Sequence, residues 1–140
     1  MSTEENMTTN RRFYEEVINQ QHLAVVDEVA GEEYVSHSFP PGLPPGREGL
    51  KAFISAFHAA FPNGHLSIDQ MIAEGDTVAT RLTFRGTHTG DFLGIPATGK
   101  QVVVVLAIWD IRSEKSETCA KISRMGKPPQ GYTGYLGYLF

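Results

Sequence analysis

The apolar residues of this chain recur at helical spacing in its first half and alternate in its second. Phe13 and Val17, flanked by Tyr14 and Ile18, form a stripe at the 3.6-residue period. They predict a helix capped by Thr8 or Thr9 and running to about Gln21. Leu23, Val26 and Val29 predict a short second helix, with Gly31 as its stop. Glu33 to Phe39 reads as extended. Pro40 to Gly46, with four prolines and two glycines in seven residues, excludes regular structure. Leu50, Phe53, Ile54, Phe57 and Phe61 then place a third helix from about Arg47 to Phe61, ended by Pro62-Asn63-Gly64.

From His65 the period shortens to two. His65 to Glu74 alternates moderately, and Gly75-Asp76 marks a tight turn. Thr77 to Thr89 sets Val78, Thr80, Leu82 and Phe84 against Ala79, Arg81, Thr83 and Arg85. A loop marked by Gly90 and Gly99 follows. Gln101 to Ile111 is so rich in Val and Ile that both of its faces are expected to be buried. Ser113 to Ser116 reads as a hairpin tip and Glu117 to Met125 as a weak last strand. Helices first and hairpin-linked strands after predict an α+β fold with a mostly antiparallel sheet. A single sheet covered by about three N-terminal helices must curl around them, giving a cone with an internal cavity.

Composition narrows the class. The 140 residues suit one domain, 1–140, with an atypical Gly- and Tyr-rich tail at 127–140. With 41% hydrophobic and 20% charged residues, the chain has the make-up of a globular protein rather than a disordered one. Net charge is −4 and the Lys and Arg residues are scattered, which argues against a nucleic-acid partner. Cys119, the single cysteine, cannot form an internal disulfide. The polar start with Glu4 and Glu5 is unlike a secretory signal, and no apolar run reaches the ~20 residues that span a bilayer. These features predict a cytoplasmic protein with no membrane partner. Neither metal-ligand spacings (CxxC, HxxxH, HExxH) nor nucleotide loops (GxGxxG, Walker) occur, so no metal and no cofactor is expected.

Three segments carry a resemblance. Gly46-Arg47-Glu48-Gly49-Leu50, the helix end Phe61-Pro62, and above all the run from Gly86-Thr87-His88-Thr89-Gly90 to Gly94-Ile95-Pro96-Ala97-Thr98-Gly99-Lys100 resemble SnoaL-like proteins. That group includes polyketide cyclases and belongs with the NTF2-like folds, near ketosteroid isomerases and limonene epoxide hydrolases. The similarity covers roughly Arg11 to Ile111. It implies a cone-shaped α+β barrel, a pocket for a hydrophobic small-molecule ligand between sheet and helices, and a homodimer through the sheet. The C-terminal quarter departs from the pattern. Glu117 keeps the family's Glu, but Cys119 stands at the usual Trp and Ser123 at the usual acid/base Asp. A hydroxyl cannot replace a carboxylate base near neutral pH.

Candidate chemistry then rests on few side chains. His88 can pass a proton near pH 7 or simply anchor its loop through backbone hydrogen bonds. His37 leads a loop over the expected cone mouth, where the resemblance implies a pocket histidine; otherwise it is a surface residue. Asp110 is the lone carboxylate of an apolar strand, buried and suited to acid/base work or sitting in water at the strand end. Arg81 pairs with a carboxylate on the inner face, as in epoxide hydrolases of this fold, or is exposed. Tyr34 and Trp109 are candidate apolar walls, and Phe57 and Ser123 complete the candidate substrate contacts. Three functions stay open: proton transfer by His88, His37 and Asp110 in a cyclisation or isomerisation; epoxide hydrolysis by Arg81 and Asp110; and a non-catalytic ligand cup. The fold hosts all three, so a carboxylate deep in the cavity is the deciding feature.

Overall fold

The computed structural model describes residues 2–36, 42–111 and 117–123. His37, the first part of the proline-rich loop, the 113–116 hairpin tip and the 127–140 tail lie outside the described residues.

Helix α1 (Thr3–Arg12) starts earlier than its apolar stripe. Ser2 Oγ accepts the Glu5 N–H at 3.1 Å and Glu5 accepts the Ser2 N–H at 3.0 Å, a reciprocal capping box. Thr8 and Thr9, the expected caps, sit inside the helix and donate to the carbonyls of Glu4 and Glu5. The helix then widens into a π-helical stretch, Phe13–Asn19. There the Gln20 N–H reaches the Glu15 carbonyl five residues back at 3.1 Å. Gln21, at φ 62°, ends it. A 3₁₀ turn (Leu23–Val25), helix α2 (Val26–Val29), strand β1 (Val35–Ser36) and helix α3 (Gly46–Ala60) complete the first half. Arg12 donates to Glu16 and Glu28, Lys51 to Asp27, and Arg47 to the Ala30 carbonyl, tying the first helix and α3 to α2 and its C-terminal end.

Strands β2 (His65–Glu74), β3 (Thr77–Thr87), β4 (Gln101–Ile111) and β5 (Glu117–Ser123) follow, and the sheet order is β1-β5-β4-β3-β2. Only the β1–β5 pair is parallel among the described strands. Gly75, at φ 57°, makes the β2–β3 turn. The expected α+β cone is thus the observed fold: helices fill the inner face of a curved, mostly antiparallel sheet. At the free edge of β2, the Asn19 amide donates to the Leu66 carbonyl and accepts its N–H, both at 2.8 Å.

Parity sets what faces inward. Val78, Thr80, Leu82 and Phe84 of β3 are buried, as are Val102, Val104 and Asp110, which pair into the same rows from β4. The expectation that β4 is buried on both faces is wrong for the chain by itself. Val103 is 63% and Trp109 42% exposed, because the helices cover only the inner side. Inside, one apolar cluster joins Tyr14, Phe61, Leu82, Phe84 and Phe92. Another joins Val17, Val26, Tyr34, Leu50 and Ile54. Each large side chain so buried contributes roughly 1.5–3 kcal/mol.

Candidate functional site

The inner face is divided along its length. Toward the Thr87 end it is aromatic: Phe57 packs 4.8 Å from Phe84 and 5.1 Å from Phe61, ring centre to ring centre, with Phe53 and Phe92 beside it. Toward the Gly75 turn it is polar. Asp110 pairs with Val78 and is 5% exposed. Its Oδ2 accepts Asn10 Nδ2–H at 2.7 Å and the Tyr14 hydroxyl at 3.0 Å. Asn6, Asn10 and Tyr14 sit at steps of four along the first helix, and all three are buried. A buried carboxylate loses its hydration, and these donated hydrogen bonds replace part of it. Thr80, on the same inner row as Val78, is 2% exposed, and its Oγ1 has no hydrogen-bond partner. Asn6 Oδ1 is likewise buried and unmatched. Such a cluster can orient a carboxylate and hold a polar ligand atom beside it.

The Gly86–Lys100 run builds a clasp at the other end. Helix α3 ends with the Ala60 carbonyl accepting both the Thr89 N–H (3.0 Å) and the Gly90 N–H (3.1 Å). Gly90 runs so close to the helix that a Cβ there would stand 2.0 Å from the Ala59 oxygen. His88 is fully buried, and its Nδ1 accepts the Thr98 N–H at 3.2 Å and contacts the Thr98 hydroxyl at 3.0 Å. Its own backbone bonds to Lys100 and Gly99. These contacts fix Nδ1 as an acceptor, so the ring is neutral with its proton on Nε2. Burial, the dominant influence, holds its pKa below the ordinary imidazole value, while the Gly90 backbone and Asp91 pull the other way. The loop tip Phe92-Leu93-Gly94-Ile95 closes with reciprocal hydrogen bonds of 2.9 and 2.8 Å, and both central residues have positive φ.

Several expected site residues are therefore kept apart. His88 follows the last residue of β3, whereas Val78, the partner of Asp110, is the second residue of that strand, so nearly the whole strand, about 30 Å at ~3.3 Å per residue, separates the two. They do not form one proton-transfer site. Arg81 pairs with Ala107 on the outer face and is exposed, opposite to Asp110 in parity, so the expected Arg81–Asp110 pair does not form. Trp109 is on the outer face, not a wall of the cone. Tyr34 is buried in the α2–α3 cluster, and Phe57, partly buried, packs against the aromatic one. Ser123 pairs with Val105 at the end of β5. Surface hollows occur among the described residues. One is lined by Gln21, Leu23, Ser55, His58, Ala59 and Pro62, another by Ile72, Ala73, Glu74, Gly75, Thr77 and Ala79 with Trp109. Asp110 lines neither.

Asn6, Asn10, Tyr14 and Thr80 are the members of the polar cluster that composition and motifs do not flag. Two patterns carry the signal. The steps Asn6–Asn10–Tyr14 prolong with amides the face that Val17 continues, and Thr80 interrupts an inward row of Val, Leu and Phe.

Comparison with known proteins agrees with the geometry. The model of the SnoaL-like polyketide cyclase family matches residues 8–113. No curated protein matches the chain. Among solved structures, TsrD from Streptomyces laurentii superposes with TM-score 0.78 at 23% identity, covering 88% of this chain and 91% of that one. IdmH from Streptomyces antibioticus gives 0.68 at 26%, covering 84% and 91%. A SnoaL-like polyketide cyclase from Agrobacterium tumefaciens gives 0.71 at 15%, covering 89% and 94%. The fold is that of the NTF2-like superfamily, and the chain belongs to the SnoaL-like polyketide cyclase family.

Proposed function

We propose that this protein is an acid–base enzyme acting on a hydrophobic, polyketide- or terpenoid-like small molecule, with Asp110 as the proton-transferring group. The observation that carries the reading is a carboxylate on the inner face, 5% exposed, held by Asn10 and Tyr14. In this reading Asp110 takes a proton from a carbon next to a carbonyl. The C–H electron pair moves onto the carbonyl oxygen, giving an enolate. The enolate carbon then either attacks a second carbonyl, closing a ring, or takes the proton back at another position. Asn10 and Tyr14 keep the carboxylate oriented toward the substrate. Asp110 thereby supplies the carboxylate that Ser123 does not. Epoxide hydrolysis loses its supporting pair, since Arg81 lies on the opposite face.

The test is deuterium uptake at the α-carbon of a β-keto ester, followed by NMR. Asp110→Asn is expected to lower the rate at least about 100-fold while the ester still binds. Unchanged exchange in that variant, or binding without exchange in the wild type, returns the chain to the ligand-cup reading.

A homodimer through the outer face also belongs to this proposal. Ile72 (62%), Val103 (63%) and Trp109 (42%) leave an apolar strip there, and sedimentation at micromolar concentration tests it.

A further inference from the structure

A buried hydroxyl without a partner costs free energy that folding does not recover, so its position calls for an account. Thr80 Oγ1 is such a group. A valine would fill the same space and suit the row formed by Val78, Leu82 and Phe84. The location is informative. Val78 pairs with Asp110 and Thr80 with Ile108, so Thr80 and Asp110 are diagonal neighbours on the inner face. Their Cα atoms lie about 7–8 Å apart in that relation, and both side chains stand on the same side of the sheet. A carboxylate and a hydroxyl so placed can address two polar atoms of one ligand. Asn6, one helical turn before Asn10, holds a second buried, unmatched oxygen.

We infer that Thr80 is a specificity-determining residue: its hydroxyl donates to a second carbonyl oxygen of the ligand, while the α-carbon between the two carbonyl carbons faces Asp110. The inference rests on the acid–base reading of Asp110 for its substrate class. It selects ligands with two oxygens flanking the reacting carbon over ligands with one. Thr80 takes no proton from the substrate, but its hydroxyl holds the second oxygen in the bound ester and holds it more strongly once that oxygen shares the enolate charge. Its removal therefore weakens binding and also slows the exchange.

The experiment compares wild type, Thr80→Val, Thr80→Ser and Asp110→Asn on two probes. One is ethyl 2-oxocyclohexanecarboxylate, which has two such oxygens; the other is cyclohexanone, which has one. Deuterium exchange gives kcat and KM, and calorimetric titration gives Kd without turnover. Thr80→Val is expected to raise Kd for the keto ester about tenfold and to lower kcat for its exchange at least about threefold. It should leave cyclohexanone unaffected and not lower the melting temperature. Thr80→Ser should keep the wild-type affinity. Unchanged keto-ester affinity in Thr80→Val overturns the inference, because the hydroxyl then holds at most a water. Equal weakening for both probes, or a Thr80→Ser as weak as Thr80→Val, overturns it too. If the wild type binds the ester but exchanges nothing, the Asp110 reading fails, and the Kd values still decide on Thr80. If it neither binds nor exchanges, both fall.

Discussion

Asn10 and Asp110 stand 100 positions apart in the chain and meet at 2.7 Å. The contact fastens the first helix to β4 through a buried charge-bearing group. Asn10→Ala removes one donor and leaves the carboxylate short of hydration, an expected cost of about 2 kcal/mol; Tyr14→Phe should cost about 1 kcal/mol. Urea denaturation measures both. A loss no greater than that of the exposed control Glu15→Ala would mean that Asp110 does not depend on these donors.

Gly90 has no room for a side chain. A Cβ 2.0 Å from the Ala59 oxygen forces the loop off the end of α3 and breaks the two bonds to the Ala60 carbonyl. Gly90→Ala is expected to cost about 3 kcal/mol, at the upper end for overpacking. Gly94→Ala, at a position with open space, should cost less despite its positive φ. Equal midpoints for the two variants would contradict the steric account.

Leu93 holds φ 46° at the first central position of its turn and is 43% exposed. A leucine pays about 1 kcal/mol for that conformation, which asparagine adopts more readily. Leu93→Asn should therefore raise stability by up to about 1 kcal/mol in the same denaturation assay. A loss instead would assign the leucine side chain a contact worth more than the strain.

His88 and His58 are both held below the ordinary imidazole pKa, chiefly by burial, with the Gly90 and Val17 backbones acting in the opposite sense. The unfolded chain consequently takes up protons at a higher pH than the fold does. Their contribution to stability is full above about pH 6.5 and is lost as pH falls from there toward the lowered folded values. His88→Asn keeps an acceptor for the Thr98 N–H but cannot titrate. Its urea midpoint should decline less steeply than the wild type's between pH 7 and 5, and an identical slope would show that His88 does not couple to folding.

Much of the fold is legible in the sequence because it follows from period and punctuation. The β2 and β4 bounds, the Gly75 turn and the α3 stripe come from local pattern, and the structure keeps them. The start of α1 lies outside the apolar stripe, which begins only at Phe13; Ser2 and Glu5 signal it through capping instead. The apolar content of β4 does not say whether its second face finds a cover, and Val103 and Trp109 are exposed there. The site was harder to read. Asp110 was visible as an odd carboxylate, but its partners come from a helix at the far end of the chain, and sequence spacing cannot show a contact across 96 or 100 positions. His88 attracted a catalytic reading through its residue type, whereas its hydrogen bonds make it a loop fastener. For Arg81, register decides between its two readings: it pairs with Ala107 and faces away from Asp110.

The amide of Asn19 has one more effect. β2 is the last strand of its sheet, and an outermost strand offers its unused N–H and C=O groups to any extended chain that drifts alongside. By holding both backbone groups of Leu66, Asn19 withholds the rung from which such a pairing would start. The first helix thus covers that rung of the rim, where intermolecular strand addition would otherwise find a free donor and acceptor.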